Sequence, residues 1–330
     1  MRIEQITEFN NIIYNNIESF INKYNGLIFH DIDFNLITSK YIDSIFYYAM
    51  VYKNSELVGM CPVHKIENNH FIGLMDWGSP YGGFLFDRNK VSLKEIIDNF
   101  RITYKEILHY WSNPFDLEKD KLLEKKGSKN QTTVLKLEDS SESIFRSFIS
   151  RNTRHNIKRA SKKGVTISCL NDLKNLNIFL NLKEELNSFV DIKKFPREYY
   201  YELYNFFSAK NMFRVFNAYH HLSPVSGLIL LVKNGIAHAW TAGRIKKLPA
   251  NIYQNELLWW RSIKWANEQG LRYYDLCVVD VNKLPNIAQF KLGFSKDYHS
   301  FYSYTKRSYT YRIKNIVKKY GRIKKNIGLL

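Results

Sequence analysis

The chain of 330 residues is long enough for two ordinary domains, and its 45% hydrophobic and 15% aromatic content excludes a disordered or low-complexity chain. No apolar run approaches the roughly 18 residues that a membrane-spanning helix needs, and acids within the N-terminal stretch argue against a signal peptide. Three widely spaced cysteines without a C-x-x-C pair predict neither a disulfide framework nor a zinc site, which favours the reducing cytoplasm.

The net charge of +18 is concentrated in two segments. Residues 151–163 carry six Lys or Arg and no acid, residues 306–330 carry nine and no acid, and +3 remains for the rest of the chain. Such local basicity indicates a surface that meets an anionic partner. In the second segment Ile313, Val317 and Tyr320 recur at helical spacing, which predicts a basic amphipathic helix. It would either bind an anionic membrane surface or pack on its own domain.

Three strand-like runs, IFYYAMVY, ELVGMCPVHKI and HFIGLM, lie within residues 45–75 and are separated by polar turn residues. A similar trio, MFRVFNAYH, SPVSGLILLV and IAHAWTAGR, returns within residues 212–244, where an Asn-Gly pair predicts a hairpin turn. Gly59 and Gly227 take equivalent places in the two middle strands. The chain therefore contains an internal repeat.

Each trio is followed by a helix and a further strand. Residues 92–108 have apolar positions at helical spacing and precede the strand-like TTVLKLE, and residues 255–270 likewise precede RYYDLCVVD. The repeat predicts two α/β domains related by duplication, at residues 1–150 and 151–305, with a basic helix opening the second. Residues 306–330 are the predicted C-terminal helix.

Three segments, RNTRHNIKRASKKGVTI, NELLWWRSIKWANEQGLRYYDL and FKLGF, together resemble the Fem-type peptidoglycan-bridge aminoacyltransferases and the related double GNAT-like acyltransferases. The resemblance extends from about residue 28 to about residue 305. It implies two tandem GNAT-like domains of the α/β (α+β) class, each a mixed central sheet flanked by helices. The implied activity is transfer of an aminoacyl or acyl group to an amine of a cell-envelope glycan or peptidoglycan precursor, without a metal or cofactor.

The resemblance implies a catalytic lysine near the end of the second domain. Lys291 stands between Phe290 and Phe294 in an apolar turn. Its charge would stabilise the oxyanion of acyl transfer or bind the phosphate of the donor. Alternatively, its charged end merely reaches solvent. The predicted catalytic residues are Lys291, Phe290 and Asp275.

The segment SPYGGFLFD resembles the glycine-containing segment that lines the acceptor site in this family. Its final aspartate lies about one position from the place where the family has one. Arg244, at a predicted strand end, would pair with an acceptor diphosphate, whereas an ordinary turn or strand-end role is the alternative for each polar residue. The predicted acceptor-binding residues are Asp76, Tyr81, Gly82, Asp87 and Arg244.

The predicted donor is aminoacyl-tRNA or acyl-CoA. The stretch GRIKKLPANIYQNELLWW lacks the Q/R-x-x-G-x-G/A glycines that hold acyl-CoA pyrophosphate at a helix N-terminus, and Asn251 or Asn255 is expected to cap that helix. A tRNA donor needs a basic track, which one face of the helix at 151–163 would supply, although a solvated linker helix has the same pattern. The predicted donor-binding residues are Arg151, Arg154, Lys158 and Asn255.

Two further functions fit the sequence. One is an acyl-CoA-dependent sugar N-acyltransferase of surface polysaccharide synthesis; the other is a non-catalytic RNA- or membrane-binding protein that keeps the fold. The sequence pairs no cysteine with a histidine near the predicted site, which favours direct attack by the amine over a covalent intermediate. His220 and His221 lack a third ligand at metal spacing. The expected location is the cytoplasm, at the inner face of the cytoplasmic membrane, and no oligomeric state is assigned.

Overall fold

The computed structural model describes residues 1–74, 78–104, 107–116, 120–147, 149–190, 194–247 and 251–306. Within these ranges one mixed sheet contains thirteen strands, and ten α-helices pack around it. The chain therefore has the predicted α/β class. The predicted C-terminal helix lies outside the described residues, except for its first residue, Lys306.

The first half of the chain supplies seven strands and five helices. The strands are β1 (Arg2–Ile6), β2 (Ile45–Lys53), β3 (Glu56–Ile66), β4 (Asn69–Ile72), β5 (Leu85–Phe86), β6 (Ile107–Trp111) and β7 (Ser128–Lys136). The helices are α1 (Asn11–Lys23), α2 (Ile32–Ile42), α3 (Leu93–Thr103), α4 (Lys121–Lys126) and α5 (Ser141–Ser147).

The second half supplies six strands and five helices. The strands are β8 (Val165–Ser168), β9 (Phe213–His220), β10 (Ser223–Lys233), β11 (Ile236–Arg244), β12 (Tyr273–Val278) and β13 (Tyr298–Lys306). The helices are α6 (Arg151–Lys162), α7 (Leu173–Phe189), α8 (Arg197–Phe207), α9 (Gln254–Glu268) and α10 (Pro285–Leu292). Both predicted trios of strands are confirmed, as β2 to β4 and β9 to β11.

The helix predicted over residues 92–108 is too long. Ser92 caps α3, and Glu95 bonds back to the N–H of Ser92, which completes a capping box. The helix ends at Thr103, and residues 107–111 form β6 with alternating burial. The side chains of β6 alternate between half-buried and buried positions, as in a pleated strand. Pairing with β4 and β13 stabilises this strand in place of the helix that the apolar spacing predicts.

The two halves repeat in space. The strand order is β1-β2-β3-β4-β6-β13-β7-β12-β11-β10-β9-β8, with β5 paired to β3. In each half an antiparallel meander leads to one parallel pair, which is β4 with β6 and β11 with β12. The next strand comes from the other half, because β13 lies beside β6 and β7 lies beside β12. Each half therefore completes its part of the sheet with a strand of the other.

The halves also share a hydrophobic core. Phe29 and Phe34 of the first half pack in one buried cluster with Phe179 and Phe213 of the second. Beside this cluster the buried ammonium of Lys233 on β10 forms ion pairs with two acids of the first half. Its Nζ lies 2.9 Å from Glu18 Oε1 and 2.6 Å from Asp31 Oδ2. Apolar contact and paired charge thus hold the two halves together.

None of the helices in the described ranges is both long enough and apolar enough to cross a membrane.

Candidate functional site

The sheet opens between β11 and β12. The two strands pair in parallel over three positions, the last of which places His238 opposite Asp275. Beyond it β11 continues along β10 as far as Arg244, whereas β12 changes register against β7 between Asp275 and Val278. In open α/β sheets, crevices at the carboxyl ends of strands are where ligands bind. The opening beyond His238 and Asp275 is therefore the candidate site.

The carboxylate of Asp275 is the centre of a buried polar cluster at this opening. Its Oδ1 accepts hydrogen bonds from Thr132 Oγ1 at 2.5 Å, from the backbone N–H of Cys277 at 2.8 Å and from the Tyr81 hydroxyl at 3.3 Å. Its Oδ2 lies 2.8 Å from His238 Nδ1. Because Tyr81 and Thr132 belong to the first half of the chain, this one carboxylate joins both halves.

The environment keeps Asp275 ionised. Burial alone raises the pKa of this carboxyl, but the hydrogen bond and charge of His238, with the bonds from Thr132 and Cys277, outweigh burial and bring the pKa below its ordinary value. A carboxylate held this way is a weak proton acceptor. Its role is to position the groups that bind it, rather than to take a proton from substrate.

Lys291 is anchored just beyond this carboxylate. Cys277 has a left-handed backbone with φ of 61°, which its N–H bond to Asp275 supports. Lys291 Nζ donates to the carbonyls of Cys277 at 3.2 Å and Val278 at 2.9 Å. An ammonium has three N–H donors, so one remains for a substrate oxygen. Burial lowers the pKa of Lys291, which is 9% exposed.

The local structure around Lys291 differs from the prediction in one respect. The apolar turn expected here is the last turn of helix α10, where the adjacent Phe290 packs on Trp259 and Phe294 with ring centroids 5.3 Å from each. Pro285 at the first position starts the helix and explains why a short helix forms in so few residues. Phe290 thus anchors α10 in the aromatic core, which holds Lys291 in place.

A segment of the first half closes on the opening. Trp240 Nε1 on β11 donates to the Gly78 carbonyl at 2.5 Å, and the fully buried Tyr81 reaches Asp275. Gly82 is required because a Cβ there would lie 2.7 Å from the backbone nitrogen of Gly73. The structure therefore brings two predicted acceptor residues, Tyr81 and Gly82, to the junction. Predicted Asp76 lies outside the described residues.

The other two predicted acceptor residues lie elsewhere. Asp87 follows β5, accepts the Asn89 N–H at 3.0 Å and lines a cavity of about 430 Å³ in the first half. Arg244 ends β11, beyond the opening of the sheet. Its guanidinium lies 4.8 Å from the centre of the Phe189 ring and donates to the Ile245 carbonyl at 3.2 Å. Arg244 thus lies at the end of β11 away from its pairing with β12, and the contacts of Asp87 are local to the first half.

The predicted donor residues on α6 have different environments. Arg151 is exposed, and Lys158 lies 6.0 Å from the centre of the Phe145 ring. Arg154 donates to the carbonyls of Arg146 and Ile149, so its guanidinium is engaged by the chain itself. The structure therefore leaves Arg151 and Lys158 as the available cations of this predicted set.

The predicted cap of α9 is wrong. The helix begins at Gln254, and its N-cap is Tyr253, which has a left-handed backbone and no side-chain capping bond. Asn255 lies inside the first turn, and the Asn251 carbonyl accepts a hydrogen bond from Lys163 Nζ at 2.9 Å. A left-handed Tyr253 directs the chain into the helix without an Asn cap, a geometry that residue preference alone does not predict.

Residues 148–291 match the family model described as an acetyltransferase (GNAT) domain. The crystal structure of FemX is similar over 95% of this chain and 99% of that chain, with a TM-score of 0.67 and 13% identity. The chain thus has the fold of FemX, and its second half matches a GNAT acetyltransferase domain.

Two further solved structures share this fold. L-PGS from Bacillus licheniformis covers 89% of this chain and 92% of its own, with a TM-score of 0.55 and 13% identity. A tandem GNAT protein from the clavulanic acid biosynthesis pathway covers 93% and 99%, with a TM-score of 0.54 and 10% identity. No curated protein matches the sequence significantly.

A basic groove that is also lined by two aromatic side chains lies between α5, α6 and α9. Its volume is about 690 Å³. Phe145 and Trp260 meet there with ring centroids 4.8 Å apart. Glu142, an acid at its edge, pairs with Arg146. The cations that line the groove are Lys158, Lys162, Arg261 and Lys264.

Sequence reasoning missed His238, which lies opposite Asp275 at the candidate site. The residue sits inside a predicted strand, and only the parallel pairing of β11 with β12 reveals that it faces Asp275. Its Nε2 is buried and has no hydrogen-bond partner among the described residues. Strand alternation could have placed His238 on the same face as Trp240, but no local signal identifies the partner strand.

Sequence reasoning also missed that a cysteine and a histidine share this cluster. Cys277 Sγ lies 3.7 Å from Asp275 Oδ2, the same atom that binds His238. Burial raises the pKa of the Cys277 thiol well above its ordinary value, so the thiol stays protonated and is a poor nucleophile. Within the described ranges no group of three or more His, Cys, Asp or Glu is arranged to hold a metal ion.

Proposed function

We propose that this acyltransferase moves an aminoacyl group from aminoacyl-tRNA, or an acyl group, onto an amine of a cell-envelope glycan or peptidoglycan precursor. The observation that carries the proposal is the buried Lys291 ammonium beside Asp275, at the opening of the sheet, with one N–H left for substrate. The full-length likeness to the fold of FemX supports the same class of reaction.

In the proposed reaction the neutral acceptor amine attacks the acyl carbonyl directly, and the amide bond forms as the bond from the carbonyl carbon to the tRNA ribose oxygen or the CoA sulfur breaks. The proton that the amine loses goes to that leaving group. Lys291 donates its remaining N–H to the oxygen that gains negative charge, and low exposure strengthens that interaction. Asp275 holds Tyr81 and the left-handed Cys277, and so sets the carbonyls that orient Lys291. No thiol intermediate is needed, because the buried Cys277 thiol remains protonated.

The basic groove between α5, α6 and α9 favours aminoacyl-tRNA as the donor. Four cations surround two aromatic rings there, which suits phosphates and stacked bases. Acyl-CoA is the alternative, since Arg159 of α6 lies over the Tyr253 ring at 4.9 Å, which places a cation near the N-terminus of α9. In that case the protein would be a sugar N-acyltransferase of surface polysaccharide synthesis.

A donor assay tests the proposal. Purified protein is mixed with a pool of envelope precursors and either charged tRNA or a set of acyl-CoAs, and products are identified by mass spectrometry. A mass gain of one amino acid from charged tRNA supports aminoacyl transfer, and a gain with acyl-CoA alone supports sugar acylation. Lys291→Met is the inactive control. Absence of any product with both donors and every precursor would overturn the proposed substrates.

The salt dependence of donor binding distinguishes tRNA from acyl-CoA without any product being measured. Binding of tRNA to a basic groove should weaken steeply with salt, because each neutralised phosphate releases counterions. The matched variant is Lys158→Gln with Lys162→Gln, which removes two cations of the groove while leaving Arg151. A smaller salt slope in that variant supports the groove as the tRNA site, and an unchanged slope contradicts it.

A further inference from the structure

Three lysines are buried among the residues that the structure describes, and two of them are paired. Lys233 pairs with Glu18 and Asp31, and Lys291 donates to two backbone carbonyls. The third, Lys183 on α7, is 9% exposed and has no hydrogen-bond or ion-pair partner in the described part of the chain. Burial alone lowers the pKa of Lys183 to about 8. At pH 7 this ammonium is therefore charged and uncompensated.

A second polar group without a partner lies one helical turn further along α7. Asn187 is 8% exposed, and its Oδ1 is buried without a hydrogen bond in the described residues. Residues four apart on a helix share a face, so Asn187 lies beside Lys183. Buried polar groups are normally paired, because leaving one unpaired costs free energy. Two such groups on one face indicate a site for a polar ligand.

The position of α7 places this pair beside the end of β11. A Cβ at Gly243 would lie 2.7 Å from the backbone nitrogen of Lys183, so α7 packs directly on the part of β11 beyond His238. Arg244 follows at the end of that strand. Lys183 therefore lies beside the part of β11 that follows His238.

No nearby acid compensates Lys183 among the described residues. The strands against which α7 packs, β9, β10 and β11, contain no Asp or Glu. On α7 itself Glu184 binds Arg197, and Glu185 accepts the backbone N–H of Lys246 at 2.7 Å. The titratable side chains of the packed strands are Arg214, Tyr219, His220, Lys233, His238 and Arg244. The surroundings are thus neutral or positive, which favours an anionic ligand.

We propose that Lys183 and Asn187 bind the acceptor, with Lys183 holding a phosphate or carboxylate oxygen and Asn187 bonding an adjacent N–H or O–H. The proposal deepens the proposed function and rests on it: the acceptor is an anionic molecule whose charged group lies beside α7. The opening beside Lys291 is left for the reacting amine.

Binding of two small probes tests the assignment without any turnover. Inorganic phosphate represents a phosphate source, and N-acetylglycine represents a carboxylate beside an amide N–H. Calorimetry measures each affinity, and NMR of ¹³Cε-labelled lysine follows the titration of Lys183, whose signal is the one missing in Lys183→Met. A bound anion should move that titration to higher pH. Affinity should fall at least tenfold in Lys183→Met and should weaken in the wild type above about pH 8.

Matched variants make the result specific. Lys174→Met removes an exposed lysine of the same helix and should leave both affinities unchanged. Asn187→Leu should weaken N-acetylglycine more than phosphate. Binding of phosphate alone assigns a phosphate-bearing acceptor, and binding of N-acetylglycine alone assigns a carboxylate-bearing one. If neither probe moves the Lys183 titration, or if Lys183→Met binds as well as wild type, the inference is wrong.

The outcome is distinguishable from failure of the proposed function. Anion binding at Lys183 in a protein that transfers no acyl group would support the site and overturn the function. Transfer that is insensitive to Lys183→Met, with no rise in acceptor KM, would support the function and overturn the site.

Discussion

The hydroxyl of Tyr81 lies 3.3 Å from Oδ1 of Asp275, although 194 positions separate the two residues in the chain. The contact links the glycine-containing segment of the first half to the strand of the second half that leads to Lys291. Burial and the negative charge of Asp275 raise the pKa of Tyr81 well above its ordinary value, so the hydroxyl remains a donor. The two halves are thus connected at the point where the sheet opens.

Replacing Lys291 should affect rate more than binding. Lys291→Met keeps the length of the side chain and removes the N–H that faces substrate, so kcat should fall about 10²- to 10³-fold, the usual effect of losing one oxyanion donor. The acceptor KM should change less than about threefold. Steady-state kinetics with the substrates found in the donor assay measure both.

The control for Lys291 is Lys283→Met, which removes an exposed lysine just before the same helix. It should keep wild-type kinetics. Equal losses in both variants, or a loss confined to KM in Lys291→Met, would rule out the proposed oxyanion role.

His238→Phe should shift acid unfolding to higher pH. In the wild type the folded pKa of Asp275 is depressed, so its stabilising contribution is present above the unfolded value of about 3.9 and is lost as pH falls through the folded value. Without His238 that depression is smaller, and protonation begins at higher pH. Leaving the buried carboxylate short of a partner should also cost about 1–3 kcal/mol at pH 7.

Urea denaturation from pH 3 to pH 7 measures both effects of His238→Phe. The control is His155→Phe on the exposed face of α6, which should stay within about 0.5 kcal/mol of wild type at every pH. If the stability of His238→Phe falls at the same low pH as that of wild type, His238 does not depress the pKa of Asp275.

Removing Lys233 should be among the most destabilising single changes. Lys233→Met leaves Glu18 and Asp31 without their cation, and breaking a buried pair typically costs about 3–5 kcal/mol. Lys264→Met breaks an exposed pair with Glu268 and should cost no more than about 0.5 kcal/mol. Chemical denaturation at pH 7 compares the two. Similar losses would mean that the charges at Lys233 are effectively solvated.

Lys183→Met should increase the free energy of unfolding, whereas Lys233→Met should decrease it. Because burial lowers the folded pKa of Lys183 to about 8, below its unfolded value, the charged form opposes folding at pH 7. Removing the charge should therefore stabilise the free protein by about 1–3 kcal/mol. Wild-type stability should rise between about pH 8 and pH 10.5 through this group, and that rise should be absent in the variant. A lower melting temperature for Lys183→Met would contradict this account.

Much of the fold could be predicted from sequence because its signals are local. Strand alternation and the Asn-Gly turn act over a few residues, and the repeat of two trios is visible without pairing information. The strand exchange could not be predicted, because β7 and β13 pair across about half the chain. His238 could not be identified for the same reason, because its partner Asp275 is 37 residues away in the chain and on another strand.

The site was predicted in part. Lys291 followed from a family resemblance and Asp275 from its place at a strand end; the two lie at the opening, and Tyr81 joins them. Their roles remain predictions. Lys183 escaped notice because a lysine in an amphipathic helix is normally exposed, and its burial follows from the close approach of α7 to Gly243.

The placement of β13 has a consequence for synthesis. When the ribosome has released residues 1–150, the edge of β6 has no partner, because its neighbour β13 is made only after residue 298. The same is true of β7, whose neighbours β12 and β13 both come later. An unpaired strand edge invites association with other chains. The nascent first half therefore exposes unpaired strand edges, and an expressed fragment that stops at residue 150 should aggregate.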